Sequence, residues 1–130
     1  MGTENASPYV TLNFNKKPSW TAYATSGLYK IKSYEELHSI DDVKDPQFQC
    51  KPVNFGMRIT EGLYTTIDVY KPSGKVVGGH SMVICGWDDM KQAFYVRNSW
   101  GVNWGMYGYF WLPYKIFEQE AWDKWIVRLK

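Results

Sequence analysis

Apolar and polar residues alternate along much of the chain with the period of two that is typical of half-buried β-strands. The clearest case is the segment 52–60, in which Val53, Phe55, Met57 and Ile59 share one face. Further segments with strand character are 28–32, 79–87, 93–97, 108–112 and 125–129. Because turn residues separate these segments, the pattern predicts a mainly β fold built as an antiparallel half-barrel or curled sheet.

Little of the sequence favours helix. Ser33 stands three residues before Glu36, which is a capping pattern, and this predicts a short helix over 34–43. A second short helix is predicted over 115–120. The polar residues 1–27 contain Pro8 and Pro18 and are predicted to form an extended N-terminal arm, followed by one domain over 28–130.

Length and composition narrow the class of protein. The chain has 130 residues, of which 45% are hydrophobic and 18% aromatic, so a single domain with a real core is expected. A net charge of +2 does not favour nucleic acid or an anionic membrane as a partner. No apolar run approaches the ~18 residues of a membrane span, and the first residues lack the pattern of a signal peptide. The compartment stays undetermined.

The cysteines and histidines do not form a metal-binding pattern. Cys50, Cys85, His38 and His80 are scattered along the chain without the close spacing that structural zinc sites use. We therefore expect neither a metal nor a cofactor. The two cysteines could form one disulfide, but they do not constitute a disulfide framework.

The informative stretch of the sequence lies between residues 78 and 112. Gly79-His80 opens an apolar strand that ends in Gly86-Trp87-Asp88-Asp89. The motifs that follow are Asn98-Ser99-Trp100-Gly101, Asn103-Trp104-Gly105 and Gly108-Tyr109-Phe110. In these motifs the chain resembles the C-terminal, barrel-like half of papain-like cysteine peptidases. Weaker similarity extends back to about residue 28, and the first 27 residues resemble no family.

The resemblance implies a role for each matching residue. His80 would be the catalytic imidazole, and Asn98 would hydrogen-bond its other ring nitrogen and fix the orientation of the ring. Trp100 would cover this hydrogen bond and exclude water, while Trp104 would pack nearby. Gly79 would support the close approach of the backbone beside His80.

The nucleophile of the family has no counterpart in the sequence. In papain-like peptidases it lies in a Gln…Cys-Gly-Ser-Cys-Trp segment at the start of a long helix, and no such segment occurs here. Cys50 leads into a strand. Cys85 lies five residues after His80 on one strand, so its side chain is expected on the opposite face. Both are interpreted as structural thiols, which usually behave as small buried hydrophobes.

The resemblance therefore implies half of a cysteine endopeptidase. The chain would supply His80 and Asn98, while a helical N-terminal half or a partner polypeptide would carry the thiol, and the substrate would be a protein or peptide. One alternative is an inactive peptidase-like module with a binding, inhibitory or structural role. Another is a self-sufficient hydrolase that uses Cys50, which would require this thiol to approach His80.

Overall fold

The computed structural model describes residues 15–28, 30–45 and 51–129, and the chain divides into two units. The smaller unit comprises residues 1–33 and 128–130, and the larger one spans Tyr34–Val127. Residues 1–14, which belong to the predicted arm, and Cys50 lie outside the described residues.

A helix, α1 (Trp20–Ser26), is the main element of the smaller unit. Ser19 caps it, because the Ser19 hydroxyl oxygen accepts a hydrogen bond from the Ala22 amide at 3.2 Å. The prediction of extended backbone as far as residue 27 is therefore wrong for this segment. The prediction relied on the polar composition of the segment and did not consider Ser19 as an N-cap. An N-cap side chain accepts a hydrogen bond from one of the amides that the first turn of a helix leaves unpaired.

Most of the six-stranded sheet belongs to the larger unit, although parts of its first and last strands belong to the smaller one. The elements in chain order are β1 (Ile31–Glu36), α2 (Ile40–Lys44), β2 (Val53–Thr60), a 3₁₀ turn (Glu61–Leu63), β3 (Val76–Asp88), β4 (Ala93–Arg97), β5 (Tyr109–Pro113), α3 (Tyr114–Glu120) and β6 (Ala121–Leu129). The strand order is β1-β6-β2-β3-β4-β5. Strand β2 pairs antiparallel with β3 and β6, and β4 pairs antiparallel with β3 and β5. The predicted mainly β, antiparallel fold class is confirmed.

Between residues 31 and 44 the structure differs from the predicted helix over 34–43. Strand β1 occupies the first part, and only α2 is helical. The capping box forms at Ser39, which accepts from the Asp42 amide at 3.0 Å and donates its own amide to the Asp42 carboxylate at 2.9 Å. The pattern at Ser33 was the wrong start signal, because Tyr34 packs edge-on against Trp125 of β6 with ring centroids 5.7 Å apart.

The core lies between the inner face of the sheet and helix α3. Phe117 of α3 packs against Phe55 of β2 and Phe94 of β4, with ring centroids 5.3 and 4.9 Å apart. All three rings are fully buried. The alternation over β2 is confirmed, since its odd-numbered residues are buried and its even-numbered ones are exposed or partly exposed. This packing fixes β3 and β4, the two strands that lead to the candidate site.

Candidate active site

His80 stands where strand β3 emerges from the core. It lies opposite Met57 of β2 in the register of the sheet. Met82 and Ile84 follow it on the same face of β3 and are buried, whereas His80 itself is partly exposed. The strand therefore holds the imidazole at the rim of the core, where β3 is paired with β2 on one side and the pairing with β4 on the other side begins only at Val83.

Asn98 follows immediately after β4 and faces His80. Arg97 pairs with Val83 across the two strands, so Asn98 lies diagonally across from His80. Its backbone amide donates to the Gly108 carbonyl at 2.9 Å, which anchors the residue. The distance between His80 Nε2 and Asn98 Oδ1 is 2.8 Å, so the hydrogen bond predicted between these side chains is present.

This hydrogen bond determines the tautomer of the imidazole. An amide oxygen can only accept, so Nε2 of His80 carries the proton and Nδ1 of the neutral ring is left as the basic nitrogen. The Ser99 amide also donates to Asn98 Oδ1, at 2.8 Å. Asn98 is 6% exposed, and its Nδ2 has no hydrogen-bond partner among the residues that the structure describes.

Trp100 lies next to His80, and Trp104 packs against Trp100. The ring of Trp100 lies beside His80, with centroids 5.0 Å apart and an angle of 31° between the planes. Trp104 contacts Trp100 edge-on at 5.3 Å, and its indole N–H donates to the Leu63 carbonyl at 3.1 Å. Both tryptophans pack against the core, so the pair sits in a largely apolar wall.

Glycines shape the loop that carries Asn98 and the tryptophans. Gly101, Gly105 and Gly108 all have positive φ, at 86°, 57° and 92°. A Cβ added to Gly105 would lie 2.5 Å from the Tyr109 carbonyl oxygen, whereas one added to Gly101 would meet nothing within 4 Å. The motif therefore needs glycine at 105 for space as well as for backbone conformation.

Gly79 admits a neighbouring side chain next to the site. A Cβ at this position would lie 3.1 Å from the ring of Trp122 on β6. Trp122 is itself 58% exposed, and it covers the face of β3 opposite to His80, because adjacent residues of a strand point to opposite faces. A Cβ at Gly79 would meet a side chain and not backbone, so the predicted role of Gly79 in a close approach of the backbone stays a prediction, as do the catalytic roles of these residues.

Sequence reasoning missed Tyr64. Its ring stacks on Trp100, with centroids 5.2 Å apart and 18° between the planes. Tyr64 follows the 3₁₀ turn, far from Trp100 along the chain. No local pattern in the sequence indicates this contact, because it depends on how the turn folds back onto the loop.

Cys85 does not behave as the predicted buried thiol. It is the extra residue at an irregularity of β3, between Ile84 and Gly86, and it is exposed. Its side chain lies on the face opposite buried Ile84, as predicted from the spacing. Partial desolvation raises the pKa of the Cys85 thiol, which is opposed by the nearby charge of Arg97. A raised pKa disfavours the thiolate, the nucleophilic form.

The structure identifies neither a metal site nor a membrane-spanning helix in the part of the chain that it describes. Within residues 15–28, 30–45 and 51–129, no three His, Cys, Asp or Glu side chains are grouped as metal ligands would be. In the same ranges, no helix has both the length and the apolar character needed to cross a bilayer.

Comparisons with known proteins identify the family of the chain. The sequence matches the model of the papain family of cysteine proteases over residues 1–121. An uncharacterized peptidase C1-like protein of Acanthamoeba polyphaga mimivirus is 30% identical over 138 residues, which cover 92% of this chain and 44% of that protein. A gut-specific cysteine proteinase of Caenorhabditis elegans is 34% identical over 94 residues, which cover 69% of this chain and 29% of that protein.

A solved structure shares the fold. Xylellain, a cysteine protease from Xylella fastidiosa, superposes with a TM-score of 0.78 at 33% identity, covering 87% of this chain and 46% of xylellain. The chain belongs to the papain family of cysteine proteases. It spans less than half the length of these relatives. The family match begins at residue 1, so the conclusion that residues 1–27 resemble no family was wrong.

Proposed function

We propose that the chain is the His- and Asn-bearing half of a papain-like cysteine peptidase that hydrolyses peptide bonds. The catalytic thiol would come from an N-terminal helical half or from a partner polypeptide. The observation that carries the proposal is the 2.8 Å hydrogen bond between His80 Nε2 and Asn98 Oδ1. It leaves Nδ1 of His80 as the nitrogen that can form an ion pair with a thiolate.

In the proposed mechanism, the thiolate attacks the carbonyl carbon of a peptide bond and forms a covalent acyl-enzyme. The His80 imidazolium donates its proton from Nδ1 to the leaving amine. The neutral imidazole then accepts a proton from the water that hydrolyses the thioester. Asn98 keeps the ring in one orientation through both steps, because Nε2 stays bonded to Oδ1 throughout.

The surroundings of the pair support this role. Trp100 and Trp104 place an apolar wall beside a hydrogen bond between polar groups, and such a bond is electrostatically stronger where water is excluded. Among the described residues the buried Asn98 Nδ2 has no acceptor, although buried donors normally find one.

The thiol of Cys85 does not fit the proposed nucleophile. It is exposed on the other face of β3, and its pKa is raised rather than lowered. We therefore assign the nucleophile to a segment other than Cys85. Under this assignment, Cys85→Ser leaves the labelling described below unchanged.

The test is native mass spectrometry of the protein from its own source, with and without a thiol-reactive epoxide probe. We expect the probe on a polypeptide that travels with this chain or is continuous with it, and we expect His80→Ala to abolish labelling. His38→Ala is the matched control, since His38 is exposed on the segment before α2. A 15.2 kDa chain that travels alone and takes up no probe would overturn the proposal and favour the inactive peptidase-like module.

A further inference from the structure

Tyr64 makes a contact with the site that the family motifs do not include. Its ring stacks on Trp100, and Trp100 in turn lies against His80. Tyr64 nevertheless remains 53% exposed. Because the Tyr64 ring is partly exposed, its burial contributes less to the free energy of folding than the burial of a core ring does. We therefore look for the effect of its stacking at the surface, where Trp100 lies against His80.

The turn that carries Tyr64 is held in place from two sides. The Tyr64 amide donates to the Glu61 carbonyl at 3.0 Å, and the adjoining Leu63 is fully buried. The Leu63 carbonyl accepts the indole N–H of Trp104 at 3.1 Å. Trp104 therefore ties the turn to the loop that carries Trp100, and the Tyr64 ring is fixed relative to that loop.

We propose that Tyr64 is a positioning residue that keeps Trp100 over the His80–Asn98 hydrogen bond and so limits the access of water to it. Stacking reduces the freedom of the Trp100 ring and covers part of its surface. This inference rests on the proposed function, because it gives Tyr64 a part in maintaining the imidazole for catalysis. It requires the ring of Tyr64 and not its hydroxyl.

The experiment measures how fast the proton on His80 Nε2 exchanges with water, by NMR of the full chain. With Tyr64→Ala we expect exchange about two- to tenfold faster, the ratio that corresponds to the loss of one aromatic stacking contact. Tyr64→Phe keeps the ring and is expected to restore the original rate. Thermal unfolding of each variant is measured in parallel, so that faster exchange through global unfolding is recognised.

A matched control is available on the same sheet. Tyr34 is also an exposed tyrosine in contact with a tryptophan, Trp125, and this pair belongs to strands β1 and β6. Tyr34→Ala is expected to leave the exchange at His80 unchanged. The inference is overturned if Tyr64→Ala does not accelerate exchange, if Tyr34→Ala accelerates it equally, or if Tyr64→Phe behaves like Tyr64→Ala.

This measurement is independent of peptidase activity. It needs neither a thiol nor a substrate, because it reports only on the hydrogen bond between His80 and Asn98. If the epoxide probe finds no nucleophile while Tyr64→Ala still accelerates exchange, the proposed function fails and the shielding by Tyr64 stands. If the epoxide probe labels a nucleophile but Tyr64→Ala does not accelerate exchange, Tyr64 has no positioning role and the proposed function stands.

Discussion

Strands β3 and β4 pass through two regions of different character, the packed interior and the rim that carries His80 and Asn98. In the interior, Phe55, Phe94 and Phe117 are fully buried, and Phe117 contacts both of the others. At the rim, a polar pair is enclosed by aromatic rings and by a loop with three glycines at positive φ. The interior is stabilised by buried area, whereas the rim depends on a few specific contacts.

The difference implies that stability and site geometry respond to different substitutions. A change in the interior acts on the whole domain, because the free energy of burial is shared by all elements packed on the core. A change at the rim alters one hydrogen bond or one ring contact while leaving the core intact. Three substitutions test this separation, in decreasing order of expected effect, and a fourth tests an ion pair outside both regions.

Phe117→Ala is expected to have the largest effect. It removes the ring of α3 that contacts both Phe55 and Phe94, and large-to-small changes of this kind cost about 3–5 kcal/mol. The free energy of unfolding from urea titration measures the loss. Phe117→Leu, which retains most of the volume, should lose less. Equal losses from the two variants would argue against cavity formation as the cause.

Gly105→Ala is expected to rank second. The new methyl group would approach the Tyr109 carbonyl at 2.5 Å, and positive φ adds strain, for a total cost of at least about 2 kcal/mol. Gly101→Ala is the matched control, with positive φ but nothing within 4 Å of the new Cβ. It should cost only the backbone strain of about 1–2 kcal/mol. Urea titration compares the variants, and equal losses would contradict the steric argument.

Asn98→Ala is expected to disturb the site more than the fold. It leaves the donors of His80 Nε2 and Ser99 N without their shared acceptor, which costs about 1–3 kcal/mol. The neutral imidazole should then populate both tautomers, which nitrogen-detected NMR of the ring reports. A ring that stays protonated only on Nε2 in Asn98→Ala would show that another contact fixes the tautomer.

Asp89→Asn is expected to have the smallest effect and to depend on pH. The hydrogen bond from Lys44, at 2.6 Å, lowers the pKa of the Asp89 carboxyl below its ordinary value of 3.8, and the hydroxyl of Tyr114 adds to this. Because the pKa is lower in the folded state, ionised Asp89 stabilises the fold above its unfolded pKa. This contribution is lost as pH falls through the folded pKa.

The measurement for Asp89→Asn is the urea midpoint from neutral pH down to the acid range in which the carboxyl is protonated in both states. The variant should have a slightly lower midpoint at neutral pH and the same midpoint as the original chain in acid. Asp68→Asn, at another exposed carboxylate, provides the control. A difference that persists in acid would show that Asp89 acts through packing and not through its charge.

Local patterns were most informative where one face of a strand is buried. The predicted strand 93–97 coincides with β4, and the predicted strand 52–60 differs from β2 by one residue. In such segments apolar and polar residues alternate along the sequence, because successive side chains point to opposite faces of the sheet and only one face is buried. The predicted strand 28–32 overlaps β1 only at residues 31–32, and the pattern failed over 33–44, because every residue of β1 is exposed and no apolar alternation marks its second half.

The candidate site was predictable in part. His80, Asn98, Trp100 and Trp104 stand in one compact set of motifs, and the structure brings them together as those motifs suggested. Tyr64 could not be found in this way, since its contact with Trp100 joins two distant segments of the chain. The exposure of Cys85 was also missed, because an irregularity in the register of β3 is not visible in the sequence.

The sequence by itself determined the antiparallel strands of the interior and the residues of the His–Asn pair. The strands follow from alternation between near neighbours in the chain, whereas the pair was indicated by short motifs that resemble those of papain-like peptidases. The tertiary structure alone decided that Tyr64 stacks on Trp100 and that Trp104 donates to the Leu63 carbonyl. Such contacts depend on how separate segments pack together, and the geometry of that packing is not encoded in any one of them.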